Sequence, residues 1–113
     1  MRDLLTALFL LPAPVLADPP QVLDVQVAAD RFDVTLLHPD SGWDHYADAW
    51  EMLDADGNRL GLRELFHPHE NEQPFTRAQS GITVPPGIST VYVRARCSVD
   101  GWSDQLFEIT LPQ

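Results

Sequence analysis

The run Val91-Tyr92-Val93-Arg94-Ala95-Arg96-Cys97 alternates without a break between small apolar residues and residues that carry a polar end. Side chains of a strand point alternately to opposite faces, so this register sends Val91, Val93, Ala95 and Cys97 one way and Tyr92, Arg94 and Arg96 the other. A helical period would scatter the same residues around a cylinder and bury an arginine. The run therefore commits this part of the chain to a strand with one buried and one solvated face. That is the pattern of an antiparallel sheet covered on one side.

The same period recurs upstream. Val22 to Val27 alternates, with Leu23, Val25 and Val27 against Val22, Asp24 and Gln26. Phe32, Val34 and Leu36 alternate with Asp33 and Thr35. Tyr46 to Asp54 forms a third strand with Trp50 and Met52 on one face. Asp56-Gly57-Asn58 is a hairpin turn into a fourth, over about residues 60 to 67. Residues 75 to 84 make a less regular fifth. Pro85-Pro86-Gly87 turns the chain into the Val91 strand, and Asp100-Gly101 turns it into a last one near Leu106 to Leu111. About seven short strands, with no 3.6-residue period between them, predict an all-β fold: an antiparallel β-sandwich.

Residues 1–17 stand apart. MRDLLTALFLLPAPVLA carries Arg2, an apolar run from Leu4 to Leu11, and Val15 and Ala17 at the spacing a signal peptidase accepts. Pro12 and Pro14 argue against a buried helix there. The run is shorter than the roughly 20 residues that span a bilayer. No cysteine follows it to carry a lipid anchor. The expectation is a signal peptide cleaved after Ala17, a periplasmic or secreted domain over 18–113, and no membrane insertion of the mature chain. That domain has one cysteine, Cys97, so no internal disulfide can form and it rests on its hydrophobic core.

The chain holds no lysine; its 7 basic residues face 17 acidic ones, a formal charge of −10. Arg2 and Asp3 cancel, so residues 18–113 keep that charge. Nucleic acid and anionic membranes both call for a basic surface, and neither is an expected partner.

TVYVRARCSVDGWSDQLFEITL, residues 90–111, resembles the last two strands of a fibronectin type III or related immunoglobulin-like domain. ITVPPGISTVYVRAR, residues 82–96, resembles the turn leading into them. The resemblance implies an immunoglobulin-like sandwich with a core tryptophan, for which Trp50 is placed. HPHENEQPFTR, residues 67–77, resembles small exported bacterial proteins of unassigned function. These folds host many unrelated activities, so the resemblance implies no chemistry.

If each strand runs the height of the sandwich, alternate connections share an end. One end then gathers residues 39–45, 67–74 and 98–102. All four histidines of the chain, His38, His45, His67 and His69, fall there, with Trp43, Asp44, Glu70, Glu72, Asp100 and Trp102. Two readings of this end follow. In the first, Trp43 with Asp44 and Trp102 with Asp100 form a surface that recognises a protein or glycan; tryptophan beside a carboxylate suits both partners. In the second, His67 and His69 lie on one face of an extended segment held by Pro68, and bind copper or zinc with His38, His45, Glu70 or Glu72. Cys97 shares a face with Val91, Val93 and Ala95, and is read as a small buried hydrophobe. No nucleophile elbow, His-Glu-x-x-His or phosphate loop occurs. The expectation is a non-catalytic binding module, with the metal site as its alternative.

Overall fold

The computed structural model describes residues 18–112. The expected signal peptide, 1–17, lies outside the described residues. Eight strands form in chain order: β1 Gln21–Ala28, β2 Arg31–Leu37, β3 Ala47–Leu53, β4 Arg59–Glu64, β5 Phe75–Gln79, β6 Thr90–Cys97, β7 Gly101–Trp102 and β8 Phe107–Thr110. A three-stranded antiparallel sheet has the order β1-β2-β5, and a five-stranded one runs β4-β3-β6, with β7 and β8 both pairing β6. Among the described residues no helix is long and apolar enough to cross a membrane.

The core lies between the sheets. Phe32, Val34 and Leu36 of β2 and Phe75 of β5 meet Trp50 and Met52 of β3 and Val91, Val93 and Ala95 of β6. All nine are buried. Trp50 takes the place expected of the core tryptophan. The Val91–Cys97 alternation is realised residue by residue, with Arg94 and Arg96 on the outer face.

Two sequence readings are corrected. A β-bulge between Val22 and Asp24 shifts the register of β1 against β2. Val22 therefore joins Val25 and Val27 against the core, and Leu23 is exposed. A bulge adds one residue and so flips the alternation, which a period-two reading cannot see. The fifth strand stops at Gln79; Ile82 is buried but lies outside any strand. The last strand, expected near Leu106 to Leu111, forms as β8, and a short strand, β7, precedes it at the Asp100-Gly101 turn. Gly101–Trp102 pairs Arg96 and Cys97, and β8 pairs lower on β6.

The outer face of the five-stranded sheet is ordered by charge. The buried carboxylate of Glu51 accepts from Arg59 Nε at 2.8 Å and Arg94 Nε at 2.6 Å. Trp102 lies under the guanidinium groups of Arg59, Arg94 and Arg96, at 5.2–5.8 Å from its ring centre. Arg96 also holds Asp48 through two hydrogen bonds, and this keeps its guanidinium protonated above its ordinary range. Trp102 is thus tied to the sheet face and half-buried.

One close approach between sheet and loop depends on glycine. A Cβ on Gly61 would stand 2.7 Å from Ile82 Cδ1 and 2.8 Å from its Cγ1. Gly61→Ala is expected to push Ile82 out of the core and cost about 1–3 kcal/mol. Urea unfolding at fixed pH measures it, and an unchanged midpoint would refute the close approach.

Candidate metal centre

The loop-rich end is built by hydrogen bonds that continue past the strands. His38 follows β2 directly. The chain then folds back through a tight turn: the His45 N–H donates to the Gly42 carbonyl at 3.1 Å, and the Ser41 N–H to the His45 carbonyl at 3.0 Å. Gly42 has a φ of 138°, which an L side chain rarely adopts, so glycine is needed here. Trp43 and Asp44 form the exposed tip. Beyond β3 and β6, Tyr46 and Ser98 clamp the chains: the Ser98 N–H donates to the Tyr46 carbonyl at 2.9 Å, and the Tyr46 N–H to Ser98 Oγ at 3.1 Å. The clamp sets His45 beside Cys97.

His38, His45 and Cys97 converge. One ring nitrogen from each histidine and the Cys97 sulfur all lie within 4.8 Å of one another. The two imidazoles meet edge to face at 4.8 Å between ring centres, and His45 Nε2 is 3.6 Å from Cys97 Sγ. An ion with bonds of about 2.0–2.1 Å to nitrogen and 2.3 Å to sulfur needs N···S separations of roughly 3.6 Å at tetrahedral angles. The sulfur also receives the Asp100 N–H at 3.2 Å, while Asp100 Oδ2 stands 3.5 Å from it. Cys97 Sγ donates to that carboxylate oxygen, so Asp100 holds the sulfur through both its backbone and its side chain.

His38 is fully buried and its ring is oriented from behind. Nδ1 is 2.6 Å from Oδ1 of the buried Asp40, and Nε2 has no hydrogen-bond partner. A carboxylate on Nδ1 leaves Nε2 as the lone-pair donor, the arrangement found behind histidines that ligate metals. Buried polar nitrogens are normally paired, and Nε2 of His38, like both ring nitrogens of His69, is left free to take a further ligand.

Asp40 organises the whole end. Besides His38 it accepts the Ala47 N–H at 2.9 Å and the His69 N–H at 2.8 Å. Gln73 adds a second brace: its Oε1 accepts the His38 N–H at 3.0 Å and its Nε2 donates to the His69 carbonyl at 2.9 Å. The 67–74 loop thereby supports His38 through its backbone and Gln73.

Of the expected metal ligands, His38 and His45 are thus brought together, with Cys97. His67 and His69 are neighbours, 4.6 Å between ring centres, but stand outside that cluster. His67 is exposed, and His69 is buried and stacked on Phe75 at 4.0 Å. Glu70 and Glu72 are exposed, and Glu72 pairs with Arg77. Of the expected recognition residues, Trp43 is 66% exposed and contacts Tyr46 edge to face. Asp44 is exposed, Asp100 adjoins the cysteine sulfur, and Trp102 is engaged on the outer sheet face. Cys97, read from the sequence as a small buried hydrophobe, is buried and also belongs to the cluster. Its signal was available: a buried position at the last residue of a strand is both core and site wall.

Burial lowers the pKa of His69, aided by Arg77 and His67; Asp40 and Glu72 oppose the shift. The folded state thus holds His69 neutral. Its contribution to stability is complete above the free value of about 6.5 and is lost as pH falls from there through the lowered folded value. With chelator present, unfolding stability is expected to fall below pH 6.5, and to fall less in His69→Phe. Identical profiles would overturn this.

No family model matches the chain, and no solved structure matches it. A protein of Halomicrobium mukohataei described as "Putative lipoprotein" is 46% identical over 77 residues, 68% of this chain. The match spans 37% of that relative, so this chain is similar to little more than a third of its length.

Proposed function

We propose that this chain is an exported, immunoglobulin-like binding domain of the fibronectin type III kind, whose loop-rich end holds a transition-metal ion through His38, His45 and Cys97. The strand order β1-β2-β5 facing β4-β3-β6 supports the fold reading. The likeness to a relative named as a lipoprotein supports export. One observation carries the function: two imidazole nitrogens and one sulfur within 4.8 Å of one another, with the buried His38 held by Asp40. Imidazole and thiolate together suit zinc and copper, and exclude magnesium and calcium, which take oxygen ligands.

Calorimetric titration of the reduced chain with Zn(II) tests it. The expected result is one ion per chain at micromolar Kd or tighter, about −8 kcal/mol. Cys97→Ser and His38→Ala should each weaken it by roughly 100-fold or more, whereas His67→Ala should leave it unchanged. Binding no tighter than about millimolar overturns the reading.

Trp43 favours a second use of the same end. A tryptophan two-thirds exposed beside Asp44 suits a protein or glycan partner. Trp43→Ala should leave the metal titration unchanged, because the ring is at the tip of the turn and not among the three donors.

A further inference from the structure

We propose that the ion at this centre is copper, exchanging one electron between Cu(I) and Cu(II). The inference rests on the metal-centre reading and deepens it.

The donor set argues for copper. Two imidazoles and one thiolate converge, and among the described residues no fourth His, Cys or carboxylate joins them. Asp100 touches the sulfur but stays outside the group of three. Structural zinc closes a tetrahedron with a fourth protein ligand. A three-donor His2Cys set is the geometry copper accepts in both oxidation states. The cysteine is not the sole support, because Nε2 of the fully buried His38, a residue of the same cluster, has no hydrogen-bond partner.

The surroundings argue for redox use. His38 is fixed by Asp40 and Gln73, and His45 by its turn and by the Tyr46–Ser98 clamp. Cys97 is fixed by pairing with Ala47 and Gly101 on its two sides. Ligands held this way do not rearrange between the two copper states. The Asp100 N–H on the sulfur is one of the contacts that tune such a potential. His45, only partly buried, offers its ring edge as the path for the electron. The step is Cu(I) to Cu(II) plus one electron, which passes to an outer-sphere one-electron carrier. The thiolate and both imidazoles stay bound, and no proton moves.

Anaerobic titration of the reduced chain with Cu(II) tests this. One equivalent should give an intense visible sulfur-to-copper charge-transfer band. Ascorbate should bleach it and ferricyanide restore it over repeated cycles. Cys97→Ser should lack the band. If Cu(II) instead consumes the free thiol without a band, while Zn(II) still binds one equivalent through His38, the copper inference falls and the metal-centre reading stands. If neither ion binds, both fall.

Discussion

Asp40→Ala is expected to destabilise the chain by about 3–5 kcal/mol. Its buried carboxylate accepts from the Ala47 N–H and the His69 N–H and holds the His38 ring. Removal strands three polar groups, each costing roughly 1–3 kcal/mol if left unpaired, with entering water recovering part. A domain of this size has a total stability of roughly 5–14 kcal/mol, so the loss is a large share of it. Metal affinity should fall as well, by about 10–100-fold, because the ring behind Nε2 loses its brace. Asp40→Asn separates the two effects. An amide oxygen at the Oδ1 position can still accept from the Ala47 N–H, but the amide nitrogen cannot accept the His69 N–H, and the negative charge behind the imidazole is gone. Stability should therefore recover more than affinity does. Urea unfolding in chelator and zinc titration measure the two quantities. A loss under about 1 kcal/mol in Asp40→Ala would show that Asp40 is not the organiser of this end.

The period-two pattern was a reliable guide where each strand has one buried face. Phe32, Val34, Leu36, Val91, Val93, Ala95 and Cys97 all lie where alternation puts them. It failed at Leu23, because a bulge inserts a residue and reverses the faces. It placed the last strand, β8, but gave no sign of β7, because two residues are too few for an alternation to show. The site was legible only as an end of the molecule. Topology gathered His38, His45, His67 and His69 at one end. Which of them share a centre depends on side-chain direction, and that is decided by the Gly42 turn and the Asp40 contacts. The His67-Pro68-His69 spacing drew attention as a ligand pair. In the fold, His69 is buried against Phe75 and the loop serves as a brace.

Saturation with metal is expected to raise the thermal midpoint on the order of 15–30 °C. His38 follows β2, in the three-stranded sheet; Cys97 ends β6, in the five-stranded one. An ion bound to both joins the two layers directly. Antibody domains join their sheets with a disulfide, which a chain with Cys97 as its one cysteine cannot form. An ion bound by the proposed centre would take that role. An ion that binds only the folded state at 1,000 times its Kd stabilises by about 4 kcal/mol, and each kcal/mol moves the midpoint by about 4–8 °C in a domain of this size. Cys97→Ser, with its roughly 100-fold weaker binding, should cut the shift to about a third or less while leaving the metal-free midpoint within a few degrees, since serine fills nearly the same volume. Trp50→Ala, which empties the largest buried site and costs about 3–5 kcal/mol, should be substantially rescued by metal, because its three ligands are intact. Differential scanning calorimetry with zinc and with chelator reads all three chains. Equal midpoints for the unaltered chain in the two conditions would mean that the ion does not tie the sheets together.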